Sequence, residues 1–221
     1  MKYEDFIKDK KIIFIGPSPY LIGQNLGKYF DSFDLIVRTN GSVFMGKELH
    51  KDYGSRLDIL YVNVQFMREA CPLDFFKIIY NIKYFCTKTR NKGAMANFSK
   101  KAPARDFSDV ISVLNEQVQG LLTGTAIIYD ILRFNPKELH IVGMDFYSNK
   151  PPVFIPDDWR EYYPGYLPKV TEKLANVKNL GRRDPHNYAS NAKMVNRLQK
   201  TFPNLSIDEH CQNRINELIN N

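Results

Sequence analysis

Apolar runs of strand length recur along this chain, and most are followed by a segment whose apolar residues return every three or four positions. That alternation restricts the fold more than any other feature. Strands separated by helices form parallel βαβ units, with helices covering the sheet. KIIFIG, from Lys11 to Gly16, reads as a first strand, and LIGQNLGKYF, from Leu21 to Phe30, as the helix after it. FDLIVRTN is a second strand ending in polar residues, and LDILYVNV, residues 57–64, a third. DFFKIIYNIKYFC, residues 74–86, is too uniformly apolar for periodicity to decide and reads as a helix followed by a strand. DFSDVISVLNEQVQ carries Val110, Ile111, Val113, Leu114 and Val118 at helical spacing, with Ser108 as the expected cap. TGTAIIYDILRF reads as a helix and ELHIVGMDFY as a strand. SNAKMVNRLQKTFP reads as a helix with Met194, Val195 and Leu198 inward, stopped by Pro203; LSIDEH is a late strand, and an Asn-rich helix closes the chain. The expected fold is α/β: a Rossmann-like, mostly parallel sheet with helices on both faces.

A chain of 221 residues fits one domain, 1–221. One segment breaks the rhythm. Residues 148–185 hold six of the prolines and the only tryptophan, Trp159, directly after a strand end. A long irregular loop in a compact domain is functional or disordered, and open α/β sheets bind ligands at the carboxyl ends of their strands. This segment is therefore expected to be a mobile lid.

Charge and cysteine usage narrow the setting. The formal net charge is +7, which suits an anionic partner such as nucleic acid, a membrane surface, a nucleotide or an acidic sugar. The basic residues are scattered without aromatic interleaving, so no nucleic-acid partner is expected. No apolar run approaches the ~20 residues of a spanning helix, and no signal-peptide pattern opens the sequence. Cys71, Cys86 and Cys211 lack metal-site spacing and read as three reduced, mostly buried thiols. The expected location is cytoplasmic, with peripheral membrane contact left open.

The informative polar residues collect at the ends of strands: Gly16-Pro17-Ser18 after the first, Arg38 to Gly41 with Asn40 after the second, Asn63 at the third, and Gly143-Met144-Asp145-Phe146-Tyr147 after HIVG. In a parallel sheet these ends border one pocket, whose neutral hydrogen-bonding groups suit a base and a ribose. The start of the TGTAIIYDI helix, at Leu122-Thr123-Gly124, adds a partial positive charge and free N–H groups for a phosphate. Other chemistries lack their patterns: there is no G-x-G-x-x-G, no P-loop, no G-x-S-x-G and no paired His or Cys ligands. Asp157-Asp158 is the nearest thing to an acidic metal pair and reads as a solvated loop or a helix start before Trp159.

At these residues the sequence resembles a known family. GPSPYLIGQNLGKYFDSFDLIVRTNGS is similar to the large sialyl motif of animal-type sialyltransferases, matching at Gly16, Ser18, Leu21, Gly23, Gly27, Asp31, Ser32, Asp34, Arg38 and Asn40. YGSRLDILYVN resembles the continuation of that motif, and GLLTGTAIIYDILRFNPKELHIVGMDFY resembles the small sialyl motif. Its DFY ending is closer to the bacterial sialyltransferases. The segment from His186 to Asn191 resembles the one that carries the family's catalytic histidine. The resemblance covers about residues 11–65, 119–147 and 186–200. Three departures stand out: Pro17 for a nucleotide-contacting asparagine, Leu122 for a serine, and Asn191 for an acid. The disulfide of the animal enzymes has no counterpart, since its positions fall near Ile12 and Pro136.

The resemblance implies an inverting, metal-independent glycosyltransferase that moves a sialic acid or related nonulosonic acid, such as Kdo, from a CMP donor to a glycan or glycolipid hydroxyl, with no cofactor. A bacterial or viral cytoplasmic protein fits it better than a Golgi enzyme. It assigns the general base to His186 and phosphate contacts to Tyr147, with Tyr162 and Tyr163 as lid counterparts. Donor binding falls to Gly16, Pro17, Ser18, Asn40, Asn63, Leu122, Thr123, Gly124, Gly143, Met144, Asp145 and Phe146. Arg182 and Arg183 lie where they would attract an acidic group. The alternative is a noncatalytic or differently specific nucleotide-binding protein of the same fold.

Overall fold

The structure is a computed structural model that describes residues 2–39, 49–63, 82–88, 103–146 and 187–220. The strands are β1 (Lys11–Ile15), β2 (Leu35–Thr39), β3 (Ile59–Asn63), β4 (Tyr84–Lys88), β5 (Ala104–Asp106), β6 (Glu138–Val142) and β7 (Leu205–Ile207). They form one sheet in the order β5-β4-β3-β2-β1-β6-β7, with every neighbouring pair parallel. The order runs outward from β1 in both directions: β2 to β5 on one side, β6 and β7 on the other. The carboxyl ends of β1 and β6 therefore flank the topological switch point, where open α/β sheets form their ligand crevice.

The helices are α1 (Tyr3–Ile7), α2 (Gly27–Phe30), α3 (His50–Tyr53), α4 (Ser108–Asn115), α5 (Thr123–Leu132), α6 (Tyr188–Thr201) and α7 (Glu209–Asn220). Both sheet faces are covered, as the near-continuous apolar runs of the central strands require. Ile12 and Phe14 of β1, Val37 of β2 and Tyr61 of β3 pack with Ile127, Ile131, Val195 and Ile215 of α5, α6 and α7. Ile13 and Ile15, of opposite pleat, pack with Ile36, Phe30 and Tyr53 on the other face. The expected parallel sheet with helices on both faces is what the chain forms.

A buried polar network fastens the outer half of the sheet. Arg105 of β5 forms an ion pair with Asp130 of α5 through both guanidinium nitrogens, and Tyr61 Oη donates to Asp130 Oδ2 at 2.6 Å. Tyr3 of α1 meets Tyr61 hydroxyl to hydroxyl at 2.6 Å. A buried carboxylate is tolerable only when paired in this way.

Some local expectations fail. Residues 21–30 do not form one helix: Pro19–Leu21 make a single 3₁₀ turn, and Gly23 (φ 84°) and Asn25 (φ 56°) are left-handed. Only the four residues of α2 are helical there. Left-handed residues end helical hydrogen bonding, so the chain turns twice before α2. Ser108 is not the cap of α4 but its first residue; Asp106 Oδ1 accepts from the Ser108 amide instead, at 2.9 Å. Val113 is exposed rather than inward. Three elements went unread: α1, α3 and β5.

Candidate functional site at the switch point

The turn after β1 and the turn after β6 are joined backbone to backbone. The Gly16 amide donates to the Val142 carbonyl at 2.8 Å, and the Ser18 amide to the Gly143 carbonyl at 3.0 Å. A Cβ on Gly16 would overlap the Gly143 carbonyl oxygen, and Gly143 itself holds φ 70°. Glycine is thus required on both sides of this contact. Pro17 and Pro19 carry no N–H, so the four residues from Gly16 to Pro19 spend both their amide donors on the opposite turn. A phosphate-gripping loop needs such donors free. This turn forms a wall.

Side chains brace the same junction. Ser18 Oγ donates to Asp145 Oδ2 at 2.6 Å, across 127 residues of sequence. Tyr53, fully buried on α3, donates its hydroxyl to the Ser18 carbonyl at 2.6 Å. Behind Tyr53, buried Arg38 donates to the carbonyls of Tyr53 (2.6 Å), Gly54 (3.1 Å) and Arg56 (3.3 Å). Burial lowers the Arg38 guanidinium to about 10, against the opposing effect of Asp31, and it keeps its charge at neutral pH. Asp31 accepts from the Ser55 and Arg56 amides, and Asp34 from the Lys11 amide at 2.8 Å. A Cβ on Gly27 would overlap the His50 carbonyl. Much of the long motif-like stretch therefore builds the frame under the turn, with Gly27, Asp31, Asp34 and Arg38 holding neighbouring backbone.

The third side of the crevice is the start of α5. This helix runs antiparallel to the strands and turns into β6 within a few residues, which sets its N-terminus at their carboxyl ends. Gly124 lies against the turn after β6, where an added Cβ would stand 3.0 Å from Met144 Sδ. Leu122 occupies the N-cap and supplies no side-chain hydrogen bond. Its amide is held instead by Asn191 Oδ1 at 2.9 Å, while Asn191 Nδ2 donates to the carbonyls of Gly120 (3.0 Å) and Asn187 (2.8 Å). Asn191 is fully buried on α6. Asn187 Oδ1 caps α6 by accepting from the Ser190 amide at 2.8 Å, and Ser190 Oγ accepts from the Gln119 amide at 3.2 Å. The loop entering α5 is thereby stitched to the first turn of α6.

The structure thus brings together Gly16, Pro17, Ser18, Leu122, Thr123, Gly124, Gly143, Met144, Asp145 and Phe146. Phe146 is buried at φ 53°, a conformation that costs a non-glycine residue energy and that clusters at functional sites. Asn63 ends β3, three strands from β6 in the sheet order. Asn40, Tyr147, Tyr162, Tyr163, Arg182, Arg183, His186 and the whole 148–185 segment lie outside the described residues, as does Cys71. Cys86 and Cys211 are buried and unbridged. Sequence reasoning missed Tyr53 and a second tyrosine, Tyr20, whose hydroxyl accepts from the Gly143 amide at 2.6 Å. Among the described residues, no cluster of His, Cys, Asp and Glu fits a metal ion, and no helix is long and apolar enough to cross a membrane.

No family model matches the sequence, and no curated protein matches it either. Solved structures do match in fold. The sialyltransferase CstII from Campylobacter jejuni, in complex with the substrate analogue CMP-3FNeuAc, superposes with a TM-score of 0.59 at 16% identity, over 90% of this chain and 81% of that one. The monofunctional α-2,3-sialyltransferase Cst-I from the same organism gives 0.58 at 15% identity, over 90% and 75%. A mammalian sialyltransferase gives 0.56 at 12% identity, over 91% and 69%. The fold is that of the sialyltransferases, bacterial and mammalian.

Proposed function

We propose that this chain is an inverting, metal-independent glycosyltransferase that moves a sialic acid or related nonulosonic acid such as Kdo from a CMP donor to a glycan or glycolipid hydroxyl. The observation that carries the reading is the crevice at the switch point, walled by the joined turns Gly16–Ser18 and Gly143–Asp145 and closed by the α5 N-terminus. It occurs in the fold of enzymes solved with CMP-3FNeuAc and with cytidine-5'-monophosphate. The wall bounds the nucleoside side of the crevice, and the α5 N-terminus offers its dipole and amides to the phosphate.

In this reading His186 takes the proton of the acceptor hydroxyl, whose oxygen bonds to the anomeric carbon as the bond to the CMP phosphate oxygen breaks. A histidine suits that step because its pKa lies near neutrality. Tyr147, with Tyr162 and Tyr163 of the 148–185 segment, donates to the departing phosphate, a role that fixed donors fill without a metal. Asn40 and Asn63 complete the donor contacts. The +7 charge suits an acidic donor and leaves peripheral membrane contact compatible with a glycolipid acceptor.

The test is binding and donor turnover. CMP at millimolar concentration raises the Tm of the protein, and a CMP-sugar panel shows slow CMP release from one acidic sugar. His186→Ala keeps CMP binding and loses transfer by at least ~100-fold, the usual contribution of a general base. Absence of CMP binding in the wild type, or full transfer by the variant, overturns the reading. A second reading, a nucleotide-binding protein of the same fold without transfer, draws on Pro17, which removes a donor where the resembling family has an asparagine. It predicts CMP binding without release from any donor.

A further inference from the structure

We infer that Tyr20 is a positioning residue for the turn Gly143–Asp145, acting from a scaffold supplied by Asp208 and Cys211 at the corner between β7 and α7. The inference rests on the donor-site reading of that turn. It assigns a part in the site to a C-terminal segment that the resemblance leaves uncovered.

The Tyr20 hydroxyl has one proton to give and lone pairs to receive. It donates to Asp208 Oδ2 and accepts from the Gly143 amide at 2.6 Å. Cys211 Sγ lies 3.3 Å from the same hydroxyl and accepts from the next amide, Met144, at 3.1 Å. Two consecutive amides of the turn are therefore held from behind by one hydroxyl and one thiol. On the opposite side, the Gly143 carbonyl is held by the Ser18 amide. The peptide planes are fixed from both sides, which leaves Asp145 facing Ser18 and Phe146 in its left-handed conformation.

The scaffold is rigid. Asp208 accepts from the Cys211 amide at 2.7 Å with its other oxygen, the N-cap bond of α7, and donates its own amide to the Ile141 carbonyl. The Tyr20 ring stacks on His210 with centroids 3.9 Å apart. The ring alone would satisfy packing; the hydroxyl is committed to the turn. Burial and the neighbouring Cys211 and Asp208 push the phenol far above its ordinary value, so it stays a neutral donor.

Two variants separate positioning from mere support. Tyr20→Phe keeps the ring and removes the hydroxyl. Asp208→Asn keeps the α7 cap, since asparagine caps as well as aspartate, and replaces the acceptor facing Tyr20. Hydrogen exchange followed by NMR is expected to speed up at the Gly143 and Met144 amides by ~5–10-fold in both, the value of about one net hydrogen bond. Protection at Cys211 and Gln212 is retained. CMP affinity falls by a similar ~5–10-fold, with donor KM raised and kcat nearly unchanged. Unchanged exchange at Gly143 and Met144 in a folded variant overturns the inference, as does unchanged CMP affinity despite faster exchange. If Tyr20→Phe is recovered unfolded, Asp208→Asn decides by the same readings. A wild-type protein that binds no CMP removes the donor-site reading, while the exchange data still decide whether Tyr20 holds the turn.

Discussion

Asn191 shows how one amide can settle a local structure. Its oxygen receives the Leu122 amide and its nitrogen serves two carbonyls, from Gly120 and Asn187, inside a site closed to water. Only an amide does both. The acid that the resembling family carries at this position would here aim a second acceptor at two carbonyl oxygens. Asn191→Asp is therefore expected to lose about 2–4 kcal/mol of stability, the cost of leaving buried polar groups unmatched, as measured by urea unfolding at pH 7. Asn191→Asp within 0.5 kcal/mol of wild type, on the order of a neutral surface change, would contradict this account. Asn191 holds the entrance of α5 against the entrance of α6.

At the level of elements, the segment that follows β1 relies on two glycines of different kinds. Gly16 needs the space of its missing Cβ, whereas Gly23, with nothing within 4 Å of an added Cβ, needs only its left-handed φ. Gly16→Ala is expected to cost about 2–3 kcal/mol, since backbone has to move, and to weaken CMP binding. Gly23→Ala is expected to cost about 1 kcal/mol, the conformational part alone, and to leave binding intact; Tm and CMP titration of both variants check the pair. Most strands and the long helices were legible because β1, β2, β3 and β6 are dense in Ile, Leu and Val, and α5 and α6 carry clear helical periods. β5 was not, because Ala104-Arg105-Asp106 is short and polar, and its partner β4 identifies it only in space. The helix read into residues 21–30 failed where Gly23 and Asn25 turn left-handed, with the Asn25 amide donating to Asp52 Oδ1 at 2.9 Å instead of to a helical carbonyl. The turns of the site were readable from their positions at strand ends. Tyr20, Tyr53, Asp208 and Cys211 were not, since nothing local distinguishes a tyrosine whose hydroxyl finds its partner 35 residues away (Tyr53) or 123 residues away (Tyr20).

The molecule as a whole depends on pH through its sheet. His140 of β6 places Nδ1 2.8 Å from Ser206 Oγ of β7, and its ring stacks on Phe33. Burial lowers its pKa, only partly offset by Asp208 and Glu138. A histidine with a depressed folded-state pKa binds its proton more readily when unfolded, so folding is favoured fully above about pH 6.5 and less as pH falls below it. Unfolding free energy is therefore expected to decline between pH 7.5 and 5.5, and His140→Gln to flatten that slope; an unaltered slope in the variant would assign the decline elsewhere. Parallel pairing has a further consequence, in the order of synthesis. β1 pairs with β2 soon after both leave the ribosome, yet its other edge waits for β6, more than 120 residues later. Until then the nascent chain carries an unpaired strand of Ile and Phe at what will become its centre, a template for mispairing. The open edge of β1 and the β1–β6 turn junction are completed together, so a chain interrupted before β6 has neither that wall of the crevice nor protection for its central strand.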